Sequence, residues 1–120
     1  MKTIKALFVI AFALAITSVA KAQNYKLDGP FLATKAIKVN GVCDMCKHRI
    51  ENALKNTSGI SSATWNIDSK TLLVTYSRTK INPDKIQQLV AAVGHDTEKV
   101  RASDVVYNAL PDCCRYPRKS

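Results

Sequence analysis

The chain has 120 residues, 18 of them Lys or Arg against 9 Asp or Glu, for a formal net charge of +9, and it carries 4 Cys. That length suits one small domain with one core and excludes a multidomain assembly. The basic residues stand singly without interleaved aromatics, so the charge reads as a solvated surface rather than a nucleic-acid site; an acidic partner or an anionic lipid surface is its other use.

Lys2 and Lys5 precede an unbroken apolar run over residues 6–16, and Ala20-Lys21-Ala22 supplies a small–x–small cleavage pattern before Gln23. This is the layout of a secretory signal over residues 1–22. The run falls short of the ~20 apolar residues of a membrane span, and no Cys follows the expected cut to carry a lipid. The chain is therefore expected to be exported, periplasmic or secreted, without stable membrane insertion.

Residues 23–33 form a polar leader with Gly29-Pro30. Residues 36–40 alternate, with β-branched Ile37 and Val39, and read as a first strand. Gly41-Val42 turns into Cys43-Asp44-Met45-Cys46, after which Ile50, Ala53, Leu54 and Thr57 recur at helical spacing. Lys47, Arg49, Glu51, Asn52 and Lys55 fill the opposite face, and residues 56–59 end that helix at a glycine. Ala63, Trp65 and Ile67 alternate with polar residues as a half-buried strand, Asp68-Ser69-Lys70 turns, and residues 71–76 make the second arm of a hairpin. Asn82-Pro83 caps a helix with the stripe Ile86, Leu89, Val90, Val93 and a stop at Gly94. Residues 95–102 offer a last strand around Thr97 and Val100. Ser103 caps a short helix over 104–110, broken by Pro111, before Cys113-Cys114 and a basic tail.

The order strand, helix, strand, strand, helix, strand predicts an α+β, ferredoxin-like β-α-β-β-α-β sandwich. It would have a four-stranded antiparallel sheet, two helices on one face, and a short C-terminal extension. The expected divisions are a core domain over 34–102 and the extension over 103–120.

The four Cys fall in two close pairs. Two thiols spaced as Cys43 and Cys46 are, at a strand-to-helix junction, can converge on one soft metal ion or close into a disulfide, and backbone N–H groups at the helix start favour the thiolate. A bridge within either pair would close a loop too short to restrain the unfolded chain. A link from Cys43 or Cys46 to Cys113 or Cys114 would tie the tail to the domain and is the structural alternative in an oxidising compartment.

Val39-Asn40-Gly41-Val42-Cys43-Asp44-Met45-Cys46, with Ile50, Leu54, the hairpin and the 91–96 turn, resembles a heavy-metal-associated domain. That is the small module of copper chaperones, metal-transporting ATPase N-termini and periplasmic mercuric-ion-binding proteins. The resemblance spans roughly residues 35–101. This chain departs from the family pattern in three places. The loop before Cys43 is one residue shorter and lacks the Met that packs beneath it; His95 stands where Tyr, Phe or Lys is usual; and the Cys113-Cys114 tail lies outside the usual module.

Cys43 and Cys46 suit Cu(I) or Hg(II), since soft thiolates select soft ions. Cys113 and Cys114 would complete a three- or four-sulfur site if the tail folds back, which would admit tetrahedral Zn(II); otherwise they are an exposed or structural pair. The resemblance places His95 near the loop, as a ligand, as a donor tuning the thiolates, or as an exposed turn residue. Met45 would assist Cu(I) or face solvent, and His48 belongs to the surface. Without Gly-x-Ser-x-Gly, His-Glu-x-x-His or a phosphate-cradling loop, no enzyme is expected. The reading is an exported metal carrier that buffers its ion or passes it to a metal-transporting membrane protein or another carrier. The alternatives are a thiol–disulfide oxidoreductase with Cys43 as nucleophile and Cys46 as resolving thiol, and an adaptor domain whose Cys pairs are bridged.

Overall fold

The first element, β1 (Leu32–Lys38), begins ahead of the expected strand and takes in the end of the leader. The computed structural model describes residues 31–118; the expected signal at 1–22 and leader residues 23–30 lie outside the described residues. The loop 39–43 leads into α1 (Asp44–Lys55), followed by β2 (Ile60–Asn66), β3 (Thr71–Ser77) and α2 (Pro83–Ala92). A short α3 (Asp104–Asn108) and one 3₁₀ turn (Asp112–Cys114) close the chain.

The sheet is antiparallel in the order β1-β3-β2, with Ile37 opposite Leu72 and Trp65 opposite Leu72 across the two ladders. Period-two alternation sends Ile37, Trp65, Leu72, Val74 and Tyr76 to one face, where Cys46, Ile50 and Leu54 of α1 and Ile86 and Val90 of α2 meet them in one core. Leu73, with its neighbours in β3 facing inward, is left exposed. α1 carries Asp44 in its first turn and Lys55 in its last, both favourable to its dipole. The Asn82 side chain accepts from the Lys85 N–H at 2.8 Å to cap α2, as its sequence requires.

The expected fourth strand is not formed among the described residues. It is reduced to a single antiparallel bridge, Val39 with Thr97, flanked by Asn40 N–H to the Asp96 carbonyl at 2.9 Å and Glu98 N–H to the Lys38 carbonyl at 3.0 Å. The ladder stops because the next backbone groups are used locally. Thr97 N–H donates to the Val100 carbonyl at 2.8 Å, and Val100 N–H donates to Thr97 Oγ1 at 3.0 Å. Gln87 Oε1, from α2, takes Thr97 Oγ1 at 2.9 Å and Lys99 N–H at 3.0 Å. A Thr and a buried Gln thus outcompete the sheet edge. None of the helices among the described residues is long and apolar enough to cross a membrane.

Candidate metal centre

Cys43 is the N-cap residue of α1, in extended conformation, and its side chain makes no cap bond. Cys46 lies one turn further on, first in the buried stripe that continues through Ile50 and Leu54. The same helical period that buries Ile50 therefore buries Cys46, while Cys43 stays partly open at the helix mouth. Their sulfurs are 3.7 Å apart, and Val42 N–H points at Cys46 Sγ from 3.5 Å.

The loop rests on Trp65. A Cβ at Gly41 would stand 2.8 Å from Trp65 Cη2 and 3.1 Å from Cys46 Cβ, so only glycine lets the chain pass this close. The indole N–H is satisfied by the Val39 carbonyl at 3.0 Å. Trp65 thus fills the space beneath a loop that has no Met to fill it. Sequence reasoning placed Trp65 in the core without placing it under the thiols.

The C-terminal extension returns to this end of the domain. After α3, Pro111 and the 3₁₀ turn direct Cys114 inward, fully buried, with Cys113 exposed beside it. Cys114 Sγ lies 3.7 Å from Cys43 Sγ and 4.0 Å from Cys113 Sγ. The Cys43 thiol also donates to the Cys113 carbonyl at 3.4 Å, and the Cys46 thiol to the Cys114 carbonyl at 4.0 Å. All four Cys are free thiols.

Residues that the sequence did not single out hold the tail in place. Tyr116 is buried; its hydroxyl accepts from Asp96 N–H at 2.8 Å and donates to the Gly94 carbonyl at 2.7 Å. Tyr107 packs edge-on against the Tyr116 ring at 5.1 Å and donates its hydroxyl to the Tyr116 carbonyl. Arg118 clasps Asp96 through two nitrogens at 2.7 and 2.9 Å, donates to the Ala102 carbonyl, and sits 4.2 Å from the Tyr107 ring. Only the shared 94–96 turn, already notable in the sequence, hinted at this clasp.

Electrostatics separate the thiols. Burial alone would raise Cys43, but the Cys46 backbone N–H, the Cys46 and Cys114 thiols and the Met45 backbone N–H, all turned toward its sulfur, outweigh it and bring the thiol down to about 7. Burial pushes Cys46 up to about 11 and also raises Cys114, which has Cys46 and Arg49 as neighbours. Cys43 is thus the thiolate of the group near neutral pH.

His95 is fully buried, which overturns the exposed-turn expectation. The Tyr116 ring stacks on it at 5.6 Å, its Nδ1 bonds the Asn40 carbonyl at 2.8 Å, and its Nε2 has no partner. Burial lowers its pKa and favours the neutral ring. It meets the loop through the Asn40 backbone. Met45 lies exposed on the first turn of α1 with its Sδ 3.4 Å from Cys113 Sγ. His48 is on the surface, as expected.

This end of the fold matches a known module: the model of the heavy-metal-associated domain covers residues 36–96. The chain belongs to the heavy-metal-associated domain family. The copper chaperone CopZ of Staphylococcus epidermidis is 31% identical over 68 residues, 56% of this chain and 100% of that protein. The copper-exporting P-type ATPase of the same species is 29% identical over 73 residues, 60% of this chain but 9% of that protein. Among solved structures, a CopZ metallochaperone superposes with a TM-score of 0.53 at 27% identity, over 54% of this chain and 98% of that one. In this heavy-metal-associated domain Cys43, Cys46 and His95 fall within the matched segment, and Cys113, Cys114, Tyr116 and Arg118 fall beyond it.

Proposed function

We propose that this heavy-metal-associated domain is an exported, non-catalytic carrier of a soft cation, Cu(I) foremost, held by Cys43, Cys46 and, from the tail, Cys114. The observation that carries the reading is the pair of 3.7 Å sulfur separations centred on Cys43. With a metal–sulfur distance of ~2.3 Å, a linear ion wants its two sulfurs ~4.6 Å apart and a trigonal ion ~4.0 Å. The 3.7 Å spacing is too short for a linear pair and suits an ion shared by three or more sulfurs. Three soft donors and no hard ones favour Cu(I), with Hg(II) as a chemical equivalent and Zn(II) requiring a fourth ligand. The copper chaperones among its relatives support the same ion.

Each residue then has a role. Cys46, buried and high in pKa, anchors the ion from below; Cys43, partly exposed and ionised near pH 7, is the sulfur that exchanges. A partner thiolate attacks the bound ion, one protein thiolate leaves, and the ion moves without redox chemistry. The partner class is a metal-transporting membrane protein or another carrier, a proposal supported by the likeness to a stretch of a copper-exporting ATPase. Nucleic acid has no place in it.

Anaerobic competition of the reduced protein for Cu(I) against a chelator of known affinity tests the reading. A tight first equivalent that disappears in Cys43→Ser and weakens in Cys114→Ser is expected. Failure of the wild type to outcompete a weak chelator would sink it.

The spread between Cys43 at about 7 and Cys46 at about 11 also suits a second reading, a nucleophile and its resolving thiol in disulfide exchange. Turnover in an insulin-reduction assay would favour that reading over the carrier.

A further inference from the structure

The sulfurs at this end of the domain form a file rather than a single knot. From Cys46 to Cys43 is 3.7 Å, from Cys43 to Cys114 3.7 Å, from Cys114 to Cys113 4.0 Å, and from Cys113 to the Met45 thioether 3.4 Å. Cys46 and Cys114 are buried, Cys43 between them is partly open, and Cys113 and Met45 lie at the surface. The sulfurs of Cys43, Cys113 and Cys114 all lie within 4.8 Å of one another, and Cys46 stands outside that group.

That arrangement decides between two uses of four thiols. One tetrahedral ion needs all six sulfur–sulfur separations near ~3.8 Å, and Cys46 would have to be drawn toward both tail thiols to reach it. Two triangular faces ask for less: the outer one is already gathered within 4.8 Å, and the inner one has two 3.7 Å edges and needs only Cys46 and Cys114 to close. The inner face is Cys43, Cys46 and Cys114; the outer face is Cys43, Cys113 and Cys114; they share the Cys43–Cys114 edge. A thiolate has lone pairs enough to bridge two soft ions. The outer face also adjoins a thioether, a donor that favours Cu(I) over Zn(II). Arg49 neighbours Cys114 and sets a cation beside the sulfur group.

We propose that the outer face, Cys43, Cys113 and Cys114 with Met45 beside it, is a second Cu(I) site, so that one protein molecule holds two ions across a shared sulfur edge. This rests on the inner thiols binding Cu(I) as proposed above. The outer ion, bound at the surface, is the one exchanged first, and the inner ion is retained. Each thiol gives up its proton to solvent on binding, and no electron moves.

Native mass spectrometry of the reduced protein, titrated anaerobically with Cu(I) beside the chelator competition, tests it. The expected result is two ions per single chain, the second weaker than the first. Cys113→Ser and Met45→Leu should each weaken the second ion by at least what losing a ligand's supporting contact costs, on the order of tenfold, and leave the first unchanged. Three results would overturn the proposal: one ion per chain in the wild type, a second ion indifferent to Cys113→Ser, or Cys113→Ser weakening the first ion as a single four-sulfur centre requires. A second ion found only in dimers counts against it as well. Loss of all binding in the wild type is a different failure, that of the Cu(I) reading itself.

Discussion

Cys43 and Cys46 are a helical turn apart and differ in ionisation because the helix buries one and leaves the other at its mouth. Alkylation of the metal-free protein, mapped by peptide mass spectrometry, should show Cys43 labelling with a pH midpoint of about 7 and Cys46 resisting until about 11. The sign is fixed because the thiolate is the species that reacts and it prevails above the pKa. Gly41 answers to a different test. An Ala there meets the Trp65 ring at 2.8 Å, so Gly41→Ala should cost about 1–3 kcal/mol in denaturant unfolding, as overpacking does, and shift the thiol spacing with it. At this scale the Cys43 and Cys46 pair was legible because its spacing and its helix are local. Cys114 was legible only as a conjecture, since its place depends on a tail that folds back from far along the chain. His95 was misjudged for the same reason: a residue after a turn glycine reads as exposed until Tyr116 is laid over it.

α1, α2, the hairpin and β1 were readable from periodicity and caps, though β1 starts earlier than its alternation suggested and α3 stops at Asn108, short of the expected 110. The last strand was not readable, because side chains of Thr97 and Gln87 capture backbone groups that propensity assigned to a ladder. The tail clasp depends on an ion pair buried at both ends, Arg118 with 9% and Asp96 with 10% of its side chain exposed. Removing one partner strands the other, so Arg118→Ala should lower unfolding free energy by about 3 kcal/mol. It should also weaken Cu(I) by loosening Cys114. Burial alone would raise Asp96, but hydrogen bonds from the Arg118 guanidinium and the Ala102 N–H outweigh it and hold the carboxyl below its ordinary 3.8. A depressed acid stabilises the fold above its unfolded pKa, and that contribution is lost as pH falls through the folded value. Thermal melts in acid should therefore fall more steeply for the wild type than for Asp96→Asn, starting from a higher plateau.

The described domain is polarised. One end gathers loop 39–43, the mouth of α1, the 94–96 turn and the returning tail, and every sulfur of the described residues stands there. An ion bound there would tie tail to domain, so Cu(I) should raise the melting temperature, as any ligand of the native state does, and by less in Cys114→Ser. The chain also has one tryptophan, and its ring lies against Gly41 beneath the loop, where a Cβ at Gly41 would also come within 3.1 Å of Cys46 Cβ. Its fluorescence is therefore a native gauge of what the sulfurs hold: emission should dim as Cu(I) arrives, recover as a partner takes the ion away, and time the hand-over without any dye.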